Sequence, residues 1–404
     1  MRRQVWVLPE FIQRGGIMQH SPTGTPAGNA SGFSSALGGM FAIAAGIGIG
    51  RFIYTPILPP MIEALGLSKA QAGLIASANF TGYLCGALLA TVSRVPGSRR
   101  AWLLAALTIS ALTTGGMGLA ANMPGFLLLR FTGGVASAWA LILASALVLE
   151  TLAALGRSSL AALHFAGAGI GIVVSSGIIV VLQAQGGAWS ALWFAGGAIS
   201  LVATLAVAMP VADRPDAMRA PGAETAGKGG RALLAMAGAY GLFGFGYVIT
   251  ATFIVAIVRG TPDIRPLEPM IWIVVGIAAT PSVTLWSWLA RRFSIPTGFA
   301  VAAVVEALGV VASVAWPSAI GIFVAAILLG GTFMGLVALG MMRARELTTG
   351  DPRRAIALLT GAFGVGQIIG PIFAGALYDY FGDLSVASYA AAAALLAAAV
   401  LARK

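Results

Sequence analysis

Charge is scarce in this sequence. Only 9% of its 404 residues are Asp, Glu, Lys or Arg, whereas a water-soluble domain carries about 25%. That shortage excludes an ordinary soluble globular domain. Cysteine is nearly missing too: the single Cys85 lies inside an apolar run, which rules out a disulfide framework and a Cys-based zinc site. No Gly-Lys-Ser/Thr phosphate loop occurs, so ATP is not the expected energy source. The segment VWVLPEFI is interrupted by Pro9 and Glu10 and cannot serve as a signal-peptide core. The net charge of +11 comes from basic residues scattered through short loops, which argues against nucleic acid as a partner.

What is abundant is apolar residues, 58% of the chain, with a mean hydropathy of +0.92. They fall into runs near the 20 or so residues that cross a bilayer core. Runs at 37–60, 72–92, 101–120, 126–149, 160–182 and 189–209 precede a polar stretch. Six more follow at 232–258, 269–289, 298–315, 319–342, 355–377 and 384–401. Membrane strands would be about 10 residues long and would alternate apolar with polar side chains, which these runs do not. The predicted fold class is therefore all-α integral membrane, with twelve transmembrane helices.

Nineteen of the 24 Lys and Arg residues fall on the termini and the even-numbered loops, while Lys69, Arg259 and Arg265 lie opposite and Arg51 and Arg130 lie within spans. The positive-inside rule then predicts both termini in the cytoplasm. The Pro-, Gly- and charge-rich segment after the sixth span reads as a linker. The expected organisation is a disordered cytoplasmic tail over 1–34, a six-helix half over 35–210, a cytoplasmic linker over 211–231 and a second six-helix half over 232–404. Met18 offers an alternative start to Met1. Weak internal similarity supports two pseudo-repeats: GIGRFIYTP (48–56) aligns with GFGYVITAT (244–252), and GAGIG (167–171) with AFGVG (362–366).

The motif GIGRFIYTPILPPM (48–61), followed by Gly66, Leu67 and Ser68, resembles the opening helix of the YbfB/YjiJ branch of the major facilitator superfamily. RFTGGVASA (130–138) is similar to that superfamily's Arg-x-x-x-Gly-x-x-x-Ala motif in the fourth helix. GQIIGPIFAG (366–375) resembles its glycine-proline motif, here in the eleventh helix. Two departures stand out: Ser93 occupies the place of an expected Asp in the second loop, and LARRF (289–293) lacks an acidic partner. The resemblance implies a monomeric, multi-pass transporter of the bacterial inner membrane. Its two halves would rock about a site near mid-membrane, moving a small molecule, with protons as a candidate coupling ion and no cofactor.

An Arg inside a span costs about 2.5–3.5 kcal/mol on insertion scales, so Arg51 is the sharpest functional signal. It lies about 13 Å inside the end of its span, with Tyr54 one turn on. Arg130 lies at similar depth in the fourth span, with Gly134 and Ala138 on its stripe. Asn79 with Tyr83, Tyr247 with Thr250, Phe363 with Gln367, and Trp139 near the Arg130 motif complete a candidate cavity wall. The candidate substrate-binding residues are thus Arg51, Tyr54, Asn79, Tyr83, Arg130, Trp139, Tyr247 and Gln367. Glu306, the one carboxylate deep in a span, and His164 are the candidate proton-coupling residues. Each also has a plainer reading as an interhelical hydrogen bond or packing contact. The Gly167/Gly171 and Gly366/Gly370 pairs predict close helix crossings. Two guanidinium groups favour an organic anion as substrate. The alternatives are proton-coupled efflux of amphipathic compounds and a membrane-embedded enzyme, for which no catalytic cluster or metal site is visible.

Overall fold

The computed structural model describes residues 26–92, 97–208, 230–348 and 353–404. Regular structure among the described residues is helical throughout. Helix α1 is built in pieces: an α-helical stretch Pro26–Ile43, a π-helical stretch Ala44–Ile49, a short turn, and a second α-helical stretch Tyr54–Leu65. Then follow α2 (Lys69–Val92), α3 (Arg99–Gly116), α4 (Met123–Ala154), α5 (Ala161–Ala184) and α6 (Trp189–Ala208). After the undescribed segment come α7 (Arg231–Gly260), α8 (Glu268–Arg292), α9 (Ile295–Ala315), α10 (Ala319–Glu346), α11 (Arg353–Phe381) and α12 (Ser385–Leu401). Eleven of these are long and apolar enough to cross a membrane. The twelfth, α12, has 17 residues, a length of about 26 Å.

Local chemistry sets several of the boundaries. Ser98, Asn122, Ser294 and Ser318 each accept a backbone N–H of the first turn of α3, α4, α9 and α10. Gly66 closes α1 in the left-handed conformation, where a Cβ would be strained. Large apolar side chains such as Leu112, Val202, Leu205 and Ile320 remain exposed around the outside, which suits a lipid surround rather than water.

Helix α1 begins at Pro26, inside the stretch 1–34 expected as a tail, and residues 1–25 of that stretch lie outside the described part. Hydropathy marks where lipid touches a helix, not where its hydrogen-bond ladder starts, so small polar residues extend it unseen. The linker expected over 211–231 lies outside the described residues except for its last two positions, and Arg231 already opens α7. Ser93 of the departed loop motif also lies outside them.

The glycine pairs do mediate close crossings. A Cβ on Gly171 would stand 2.6 Å from the Ala44 carbonyl oxygen and 2.9 Å from the Gly48 Cα, so α5 meets α1 backbone to backbone. Gly366 does the same for α11, lying against the Gly241 carbonyl of α7. Helices α2 and α11 pack along each other, as do α5 and α8, and the last stretch of α1 packs on α7.

Candidate functional site

The site forms where α1 loses its regular ladder. Gly50 N–H reaches back five residues to Ala45 O at 2.9 Å, and Phe52 N–H to Ile47 O at 3.3 Å. Pro56 has no N–H to give to Phe52 O. Inside a membrane each freed carbonyl must find a partner, and here other helices supply them. Ser137 of α4 donates to Gly46 O. Arg130 of α4 donates through Nη1 to Gly50 O at 3.2 Å and through Nη2 to Arg51 O at 3.3 Å. Trp272 Nε1 of α8 donates to Phe52 O at 3.1 Å. Just beyond the break, Tyr54 OH donates to Ala72 O of α2 and Thr55 Oγ1 to Ala251 O of α7, both at 2.7 Å. Four helices thus hold one irregular stretch in place, a common setting for π-helical turns at functional sites.

That stretch presents Arg51. The residue is 7% exposed, and its Nε and Nη2 are buried with no hydrogen-bond partner among the described residues. Its guanidinium carbon lies 4.5 Å from the centre of the Tyr83 ring, 4.7 Å from Phe80 and 5.5 Å from Phe52. A small chamber borders it, lined by Arg51, Phe52, Phe80, Arg130, Ala251 and Thr252 among others. Cation–π contacts partly replace lost hydration, but they leave the in-plane N–H donors free.

Next to this chamber stands an aromatic group from the later helices. The Tyr247 ring is parallel to Phe333 of α10 and to Phe363 of α11, with centroids 5.9 and 5.8 Å away. Phe52 meets Phe333 edge-on at 5.5 Å, joining the group to the break in α1. Gln367 Nε2 donates to Tyr247 OH. Arg51 and Glu306 are both electrostatic neighbours of Tyr247. Glu306 is fully buried in α9, beside Thr332 of α10.

The predicted residues therefore divide. Arg51, Tyr54 and Arg130 line the chamber, Tyr83 lies against the Arg51 guanidinium, and Tyr247 and Gln367 belong to the aromatic group next to the chamber. Both terminal nitrogens of Arg130 are engaged by backbone. Tyr54 lines the same chamber as Arg51, and its ring lies beneath Arg130, whose guanidinium carbon is 5.0 Å from the ring centre. Asn79 Nδ2 donates to Arg130 O at 2.9 Å and ties α2 to α4. Trp139 does not approach Arg130. Nine residues at 100° each place it about 13 Å along α4 on the opposite side, where it meets Trp102 of α3 at 5.4 Å. His164 is also elsewhere, with Nε2 3.1 Å from Ser145 Oγ and its ring against Gly39.

Reading the sequence alone missed Phe80, Trp272 and a set of polar ties at the Gly66 end of the molecule. There Asp379 of α11 accepts the Lys69 and Ala70 N–H groups of α2, both at 3.0 Å. Arg259 of α7 bridges Glu268 at 2.7 Å and Glu63 of α1 at 3.1 Å. Charges at span ends were visible; their partners, 9 to 310 residues away in sequence, were not.

A membrane-crossing helical bundle with a broken helix and a buried cation at the break is an architecture that secondary transporters use. Residues 43–403 match the family described as "Uncharacterised MFS-type transporter YbfB", and the chain belongs to that family of the major facilitator superfamily. No curated protein sequence matches it. Among solved structures it is similar to the nucleoside transporter NupG, with 15% identity, a TM-score of 0.72, and coverage of 92% of this chain and 98% of that one. A D-xylose–proton symporter matches at 13% identity and a TM-score of 0.70, covering 92% and 96%. A bacterial homologue of the human lysosomal transporter Spinster matches at 15% identity and a TM-score of 0.59, covering 94% and 95%. At such identities the likeness concerns the fold.

Proposed function

We propose that this transporter moves a small organic anion across the bacterial inner membrane by alternating access, and that Arg51 holds the anion's acid group. The observation that carries this reading is the buried Nε and Nη2 pair of Arg51, which has no partner among the described residues. A guanidinium edge matches a carboxylate through two parallel hydrogen bonds, and unpaired buried donors are costly unless a ligand satisfies them. Arg130 positions Arg51 by holding the Gly50 and Arg51 carbonyls within the break. Tyr83 lies against the Arg51 guanidinium, Tyr247 and Gln367 stand beside the chamber, and Glu306 carries the coupling proton. His164, hydrogen-bonded to Ser145, takes no part in that step.

The two halves that rock are residues 35–210 and 232–404, with the 211–231 linker and both termini on the cytoplasmic side of a monomer. The loop charge bias supports this orientation. The repeat is supported by Gly171 and Gly366, which align in sequence and bring α5 onto α1 and α11 onto α7 in the same manner.

The test is binding and uptake of a carboxylate panel by purified, reconstituted protein. Losing the charge-assisted contact in Arg51→Ala weakens binding by roughly 2–3 kcal/mol, about 30- to 150-fold. Arg51→Lys loses most of it as well, because an ammonium lacks the fork. Glu306→Gln impairs proton-driven accumulation and leaves binding intact. Undiminished binding in both Arg51 variants, or a substrate range made only of amphipathic cations, would refute the anion reading.

A further inference from the structure

We infer that a monatomic anion, chloride in ordinary salt solution, binds in the chamber as the shared counter-ion of Arg51 and Arg130. The inference goes beyond the organic-anion reading and stands if that reading fails. Two permanently charged side chains line this one chamber, and they are only 7% and 4% exposed. Among the described residues neither makes an ion pair; the pairs that form involve Arg99, Arg259 and Arg343. No carboxylate lines the chamber, and Glu306, deep in α9, lies beside Thr332 instead. A buried charge without an opposite charge is strongly destabilising, and two near each other add mutual repulsion. Three nitrogens have no hydrogen-bond partner among the described residues: Nε and Nη2 of Arg51 and Nε of Arg130. Water would satisfy such donors but would leave the charge uncompensated.

Size selects the kind of anion. The chamber has an inner volume of about 10 Å³, room for a particle about the size of one water molecule. Chloride is close to that size, whereas an organic acid has a carbon body to house and enters only when the chamber widens. Thr252 of α7 adds a hydroxyl to the lining, and the remaining walls come from α1, α2, α4 and α7. An ion held there lies against helices from early and late in the chain, so this arrangement gains stability as chloride rises.

The experiment is thermal unfolding of the full-length protein in lipid nanodiscs while sodium chloride replaces sodium methanesulfonate at constant ionic strength. Methanesulfonate is too large for the chamber. The unfolding temperature of the parent protein should rise by roughly 1–2 °C for each tenfold increase in chloride beyond its dissociation constant. Arg51→Met, which keeps the apolar bulk and removes the charge, should not respond. Arg51→Lys should keep the response, because a spherical ion needs a charge and not a fork, although the same variant loses carboxylate binding. That contrast separates the ion from the organic anion. Equal unfolding temperatures of the parent protein in the two salts overturn the inference. A chloride response of the same slope in Arg51→Met overturns it too, as does a loss in Arg51→Lys as complete as in Arg51→Met. The first comparison uses the parent protein alone and stands even if a variant fails to fold.

Discussion

Arg51 and Arg130 are chemically identical and lie in one chamber wall, yet their hydrogen bonding gives them opposite effects on stability. Arg130 answers two backbone carbonyls, and each hydrogen bond to a charged group is worth about 1.5–3 kcal/mol. Arg51 keeps two donors buried and unpaired, which lowers the stability of the empty protein. Arg130→Met should therefore cost roughly 3 kcal/mol or more, whereas Arg51→Met should leave the ligand-free protein at least as stable as the parent. Thermal unfolding in detergent measures both, and a larger loss in Arg51→Met would reverse the assignment. Both arginines were legible as outliers, because a charge in an apolar run is conspicuous. Which one has its two terminal nitrogens engaged was not, since the answer lies in carbonyls released by a helix break.

At the scale of the helix, that break is the central feature. Gly46, Gly48 and Gly50 loosen α1, Pro56 removes one donor, and α4, α7 and α8 supply the missing partners or anchor the stretch. The arrangement needs α5 to approach within backbone contact of Ala44 and Gly48. Gly171→Val places a branched side chain where a single Cβ already falls 2.6 Å from a carbonyl oxygen. Backbone cannot yield there as a flexible side chain could, so the expected cost is about 1–3 kcal/mol or more, together with lost substrate binding as α1 shifts. Gly177→Val on the same helix, where nothing lies within 4 Å of an added Cβ, is the control. Equal loss in both variants would deny the crossing its role. Glycine spacing disclosed that helices cross closely, but not which helix each stripe meets.

For the whole molecule, the ties at the Gly66 end join helices that lie far apart in sequence. Asp379 caps α2 from α11, and Arg259 links α1, α7 and α8; both join the halves proposed above. A carboxylate on two free N–H groups at a helix N-terminus makes charge-assisted bonds that an amide reproduces only weakly. Asp379→Asn should therefore shift the population toward a form open at that end. In a Cys85→Ser background, a cysteine replacing Thr252, which lines the chamber, should react faster with an impermeant maleimide once Asp379→Asn is added. Unchanged reactivity would show that the cap does not restrain opening.

Membrane residence, the number of apolar segments and the positions of unusual charges were all decided along the chain. Each follows from the local cost of placing a side chain or a peptide group in hydrocarbon. Trp139 and His164 illustrate where that reasoning ends. Both carry polar chemistry in a span, but helical phase sends Trp139 to the face opposite Arg130, and packing gives His164 to Ser145. The free fork of Arg51, the engaged fork of Arg130, the aromatic stack and the Asp379 cap arose only in three dimensions. Hydrogen bonding and ring stacking are relations between groups brought together by the fold, and the partners here are separated by as many as 310 residues.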